Sequence, residues 1–485
     1  MMTSLLFLSS LAFAVPTETG EIEPTMQAGP DRTQRPEVKP AVAMTHAEPT
    51  RETELAPGVT VDLIPTSSWL TNLTVSFGHG SIEVAGHETA FTEALGGLWD
   101  VCTTTHSPSE LEVLKDLNDI SISSYMSPHE LTFSVQAPKH SLDLATELLA
   151  QVIHEPCFDG RELKRWKRDE VLSLTDEAPN TPSMILSYAL SHAWYPSDHP
   201  YGARPDVAAY GDVKRHELIE AATQFRVSAP VHVQFVGDVS MDEATEMTRR
   251  IVRDAGDPSP RSEALAIPDH KGTRVIAIDV PGLPQTSIAM RMDGPTLDHV
   301  HSTAFEAANF ALGGTFLARL NANLREEKGF TYGIYSRYSA RPVSGTWSTF
   351  VEVKAENTGA AAREIRHELD RMANGGATPE EILAFYRDEV ASWNDMFRTA
   401  QQAARSYGSV WDNGRTMAEE LERIQSLRQL QGTDTMKAAA DWLAEDAGRV
   451  WVFVGDRATI EPQLTELGLT PQWVSPQQAV LGAGF

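Results

Sequence analysis

The sequence predicts an α+β protein made of two homologous halves, each an antiparallel sheet with helices packed on one face. Three observations lead there. The chain has 485 residues, 41% of them hydrophobic and 22% charged, which is near the globular norm and enough for more than one core. Short segments recur in the same order at nearly one offset: 311 − 94 = 217, 454 − 236 = 218 and 387 − 168 = 219. Each copy runs from alternating, strand-like segments to helix-like ones and closes on an apolar strand.

In chain order, the stretch from Leu5 to Ala14 is apolar but too short to span a bilayer, and Ala12-Phe13-Ala14 fits a small-x-small cleavage site. Residues 1–14 are therefore expected to be a signal peptide, even without the usual basic n-region. Residues 15–57, rich in Pro, Thr and Glu with little apolar periodicity, are expected to be an acidic, Pro-rich linker. No later run is long and apolar enough for a membrane span, so the expected product is exported, periplasmic or secreted.

The first half is expected over 58–262 and the second over 268–480, with the connection starting at Asp257-Pro-Ser-Pro-Arg-Ser262. Ala94-Leu-Gly-Gly97 recurs as Ala311-Leu-Gly-Gly314, and Arg168-Asp-Glu-Val171 as Arg387-Asp-Glu-Val390, with Trp166 over Phe385. The segment from His232 to Asp238 recurs from Val450 to Asp456. Leu73–Phe77, Leu131–Gln136, Ser287–Met292 and Thr346–Val353 alternate like half-buried strands. Leu142, Ala145, Leu148, Leu149 and Val152 have helical spacing, as do Ala361, Ile365 and Leu369.

Chemistry is first narrowed by exclusion. With 67 acidic and 40 basic side chains the formal charge is −27, which argues against a nucleic-acid binder. Cys102 and Cys157 are too few for a Cys-rich zinc module, and whether they pair is left open. Phosphate loops, dinucleotide fingerprints and the G-x-S-x-G elbow are all missing. Two zinc-binding imidazoles on one helical face need a spacing of four. None of the 15 histidines has it, so neither H-E-x-x-H nor H-x-x-E-H occurs.

The richest segment is Leu312-Gly-Gly-Thr-Phe-Leu-Ala-Arg-Leu-Asn321 followed by Leu324-Arg-Glu-Glu-Lys-Gly-Phe-Thr-Tyr-Gly333. It resembles the second-half pattern of the pitrilysin/insulinase family of zinc peptidases, the inverted zincins: L-G-G, R-L-N, then L-R-E-x-x-G-x-x-Y. Cys102–Leu111, His199-Pro-Tyr-Gly202 and Phe235-Val-Gly-Asp-Val239 are similar to other family stretches, so the resemblance covers about 58–475. It implies two similar α+β halves.

The resemblance also exposes a departure. The family's zinc helix falls between Gly86 and Trp99, where the two histidine positions hold Glu93 and Gly97 and the catalytic glutamate position holds Gly96. A shifted register keeps Glu93 as the glutamate and puts alanine at both histidines. Glu170 stands where the third ligand is sought, and reads as a surface carboxylate because Glu389 repeats it in the half without a zinc role. One carboxylate does not make a catalytic zinc site, so no metal is expected in this chain.

What the resemblance then implies is the non-zinc subunit of a two-chain peptidase, paired with a homologous H-x-x-E-H chain that holds the zinc. Arg325 would bind the peptide substrate and Tyr332 would stabilise the oxyanion in the partner's site. Gly329 between them predicts that the helix ends there and that Tyr332 starts a strand. The alternatives are an inert peptide-binding or scaffold pseudo-enzyme, an active enzyme with unusual ligands, and a plain exported binding protein.

Overall fold

The computed structural model describes residues 42–43, 50–84, 89–253, 258–260, 265–267, 270–396, 398–412, 415–443 and 448–485. The expected signal peptide, most of the expected linker and parts of the connection around 257–262 lie outside the described residues.

Among the described residues, twelve strands form two six-stranded sheets. The first contains β1 (Thr50–Ala56), β2 (Val59–Pro65), β3 (Leu70–Phe77), β4 (Ser121–Met126), β5 (Leu131–Pro138) and β6 (Val231–Gly237), in the order β1-β2-β6-β3-β5-β4. The second contains β7 (Thr273–Asp279), β8 (Gln285–Asp293), β9 (Ile334–Arg341), β10 (Ser344–Lys354), β11 (Arg449–Gly455) and β12 (Gln472–Val474), in the order β12-β7-β11-β8-β10-β9. The core order β2-β6-β3-β5-β4 matches β7-β11-β8-β10-β9 strand for strand, so the duplication seen in sequence is a duplication of topology.

Two details depart from expectation. The sheets are mixed, because each half's closing strand returns parallel to its opening one: β6 along β2, and β11 along β7. A strand that closes the chain in the middle of a sheet meets neighbours of both directions, and strand alternation carries no information on direction. Residues 50–56, read as the end of the linker, form β1, which pairs antiparallel with β2. Their polar sequence hid a strand because an edge strand is held by pairing with one neighbour.

Helices cover each sheet. In the first half these include α1 (Thr89–Leu98), α2 (Pro108–Leu117), α3 (Leu142–His154), α4 (Gly160–Leu172) and α5 (Pro182–Trp194). In the second they include α6 (Ser302–Asn309), α7 (Thr358–Gly375), α8 (Pro379–Asp395), α9 (Ala400–Asp412), α10 (Met417–Ser426) and α11 (Pro476–Leu481). α4 and α8 start at matched caps. Asp159 accepts from the Arg161 and Glu162 amides at 2.8 and 3.1 Å, and Thr378 forms a capping box with Glu381.

The inner faces hold the cores. Trp99 meets Phe133 and Phe225 edge-on at 5.7 and 6.0 Å, and its indole N–H donates to the Val152 carbonyl at 3.2 Å. Burying each such ring stabilises by about 1.5–3 kcal/mol. The outer faces are covered by an exchange of helices. α5, from the first half, lies on β8 and β11 of the second, whereas α9, from the second half, lies on β3 and β6 of the first. α5 meets Ile276, Ile278, Ala289, Val450, Val452 and Val454. The face under α9 is polar: Asn72, Ser76, His232 and Gln234 are buried there.

Candidate functional site

α1 forms where the degenerate zinc helix is expected. Phe91, Ala94, Leu95 and Leu98 bury its inner face, which turns Glu93 and Gly97 outward. The buried Tyr210 hydroxyl donates to Glu93 Oε2 at 2.6 Å. Glu93 as a residue keeps an exposed edge, yet its carboxyl sits on the crowded side. Burial pushes it above the ordinary carboxylate range, and the Tyr210 bond only partly offsets this.

Glu170 on α4 is half-buried and within electrostatic reach of Glu93, which corrects its reading as a surface carboxylate. Burial first, and then the charges of Glu93 and Asp169, raise it. Tyr188 on α5 is raised by burial and by the same two glutamates. Trp166 closes the group, its ring 5.6 Å from that of Tyr210. The cleft therefore gathers Glu93 and Glu170 with Trp166, which the repeat had singled out, and with Tyr188 and Tyr210, which motif reading missed. A signal for one existed: Tyr188 recurs as Tyr407, at 407 − 188 = 219.

These residues do not fit zinc. A catalytic zinc needs three protein ligands, and among the described residues the cleft offers two carboxylates and no imidazole. Among the described residues no group of three or more His, Cys, Asp or Glu could hold a metal. At Gly96 even a Cβ would come within 2.7 Å of Met126 Cβ, so α1 is pressed against β4 where a glutamate side chain would have to stand. The Gly96 carbonyl accepts from Ser124 Oγ at 3.0 Å, which holds that approach.

The second half places the Arg/Tyr segment on a helix-to-strand corner. Leu320 and Leu324 are fully buried and anchor the turns 319–327. The helix ends at Gly329, whose φ of +64° is a left-handed conformation that glycine adopts without strain. The strand starts at Ile334, two residues later than expected, leaving Tyr332 in the bend before it. Buried Asn321 fixes the corner, donating to the Phe316 carbonyl at 2.6 Å and accepting from the Ile334 amide at 3.2 Å.

This geometry brings Arg325 and Tyr332 together. The Arg325 guanidinium carbon lies 4.2 Å from the Phe316 ring centre and 5.6 Å from that of Tyr332. Arg325 Nη1 is 3.2 Å from Glu326 Oε1, an ion pair not aligned as a hydrogen bond. Tyr332 is 93% exposed. A phenol so exposed contributes almost nothing to this chain's core, and its hydroxyl is open to another molecule. No helix among the described residues is long and apolar enough to cross a membrane.

Comparison with known proteins bears on the fold and on part of the sequence. Residues 212–384 match the family model described as the peptidase M16 inactive domain. An uncharacterized zinc protease of Mycobacterium leprae is 23% identical over 291 residues, 58% of this chain and 63% of that protein. The chain thus spans less than two thirds of that relative's length. The uncharacterized zinc protease YmxG of Bacillus subtilis is 22% identical over 292 residues, covering 58% of this chain and 68% of YmxG.

Among solved structures, the peptidase M16 inactive domain from Pseudomonas fluorescens superposes with a TM-score of 0.74 at 18% identity, over 84% of this chain and 98% of that one. The periplasmic protease PqqL from Escherichia coli gives 0.71 at 16% identity, over 87% of this chain and 47% of its own. Residues 212–384 are thus similar in sequence to the peptidase M16 inactive domain, and the chain shares the fold of these solved structures across both halves.

Proposed function

We propose that this chain is the non-zinc subunit of an exported two-chain peptidase, lending Arg325 and Tyr332 to the zinc site of an H-x-x-E-H partner. The observation that carries this is the contrast in side-chain placement. Among the described residues the cleft of the first half has no zinc ligands beyond two carboxylates, while Tyr332 stands exposed beside Arg325 on a rigid corner. Zinc on the partner would supply the activated water.

The contribution of this chain is then polar and positional. Tyr332 O–H donates to the peptide carbonyl oxygen as negative charge builds there, a role worth roughly 2.7–4 kcal/mol for a well-aimed donor. Arg325, steadied by Phe316, grips a backbone carbonyl or carboxylate of the same peptide through its planar donors. The likeness to a periplasmic protease and the apolar leader support export.

The test uses the reconstituted pair. Tyr332→Phe is expected to lower kcat by on the order of a hundredfold while assembly, measured by gel filtration, stays unchanged. Equal turnover by mutant and wild type removes Tyr332 from the mechanism. The chain alone is expected to bind no stoichiometric zinc and to cleave no peptide, and tight one-to-one zinc by elemental analysis refutes that part.

A further inference from the structure

Cys102 follows the end of α1 by four residues, and Cys157 precedes the start of α4 by three. They form a disulfide with a Cα–Cα distance of 5.4 Å. The surrounding backbone is zipped as well: the Cys157 amide donates to the Cys102 carbonyl at 3.1 Å, and the Thr104 amide to the Glu155 carbonyl at 2.8 Å. α1 and α4 are the two helices that carry Glu93 and Glu170, so the disulfide joins the elements that a metal in this cleft would have bridged.

The second half supplies an internal control. By the offsets of the duplication, Cys102 corresponds to Arg319 (102 + 217) and Cys157 to Gly376 (157 + 219). There the same junction is closed without a covalent bond. Arg319 Nη2 donates to the Gly376 carbonyl at 2.8 Å, and Nε donates to Glu381 at 2.7 Å. One place in the fold is tied by a redox-insensitive ion pair in one half and by a disulfide in the other.

We propose that Cys102–Cys157 is a redox-sensitive lock on the degenerate zinc cleft: it replaces the metal as the cross-link between α1 and α4, and its reduction loosens that cleft selectively. Cys102 is fully buried and Cys157 is partly exposed, so a dithiol reductant attacks the Cys157 sulfur. The S–S bond breaks, Cys102 leaves as a thiolate and takes a proton, and a mixed disulfide forms on Cys157. The second thiol of the reductant resolves it, releasing Cys157 as a thiol and leaving the reductant oxidised by two electrons. This inference does not depend on Arg325 or Tyr332.

Hydrogen exchange on the full chain, oxidised and then reduced with dithiothreitol under native conditions, tests it. Amides of α1 and α4 are expected to exchange on the order of tenfold faster after reduction, with α6 and α8 unchanged. A Cys102→Ser/Cys157→Ser double variant is expected to reproduce the pattern. If that variant does not fold, the wild type reduced after folding supplies the reading. No acceleration in α1 and α4, or an equal acceleration in both halves, overturns the proposal.

Discussion

The cleft between α1 and α4 in the first half and the one beside α6 and α8 in the second occupy the same place in a repeated fold, yet they are closed by opposite means. Glu93 corresponds to Phe310 (93 + 217), Trp166 to Phe385 and Glu170 to Glu389 (170 + 219). In the second half Phe310 and Phe385 pack with ring centres 5.4 Å apart, so the cleft is apolar where the first is acidic. Glu389 is claimed by Arg423 at 2.5 Å, which also binds Glu306 at 3.0 Å and Glu420 at 2.8 Å. In the first half, among the described residues, Glu93 and Glu170 have no cation. One copy has been sealed as a structural joint, while the other keeps the shape of a site without its ligands.

Breaking the sealed side should have the largest effect. Arg423→Ala leaves three facing carboxylates without their shared cation, and a loss of about 3–5 kcal/mol in urea unfolding is expected, toward the lower end because water reaches part of the network. Stability unchanged within error shows that the network is ornamental.

The exchanged helices give a second handle. α5 carries His192, which is buried and bonded through Nδ1 to the Ala479 carbonyl of α11 at 2.9 Å. Burial first, and then the nearby Arg204 charge, push its pKa down to about 4. The unfolded chain takes up a proton near pH 6.5 and the folded one near 4, so stability is full above 6.5 and falls as pH drops through that window. The loss reaches about 3 kcal/mol. His192→Gln should flatten the slope between these values, and an unchanged slope assigns the acid response elsewhere.

Smaller effects sharpen the contrast. Arg319→Ala should cost about 2 kcal/mol, because the Glu381 carboxylate and Gly376 carbonyl lose a charged donor. It should also leave α1 and α4 untouched by hydrogen exchange. Tyr210→Phe should cost only about 1 kcal/mol, since Glu93 keeps an exposed edge to water. Activity of the reconstituted pair is expected to survive that change. A large loss of activity would show that the ligand-free cleft still takes part in the reaction.

Much of this was legible in the residues. The offsets from 217 to 219 identified the halves, and alternation located β3, β5, β8 and β10 because each has one face toward a core. The Arg325–Tyr332 segment and the missing histidines were equally visible, since both are local patterns. β1 was not, because an edge strand's stability comes from its neighbour. The setting of Glu170 was not, because its partners Glu93, Tyr188 and Tyr210 lie far away along the chain.

The sequence by itself determined a duplicated α+β chain, its resemblance to the pitrilysin/insulinase family, and the absence of histidines four apart, because repeats and motifs are written in neighbouring residues. Tertiary structure alone decided three things. It showed that Cys102 and Cys157 pair, that α5 and α9 cross between halves, and that an ion network closes one cleft while, among the described residues, the carboxylates of the other have no cation. Each depends on contacts between residues tens to hundreds of positions apart, where distance in space is set by packing and leaves no local mark.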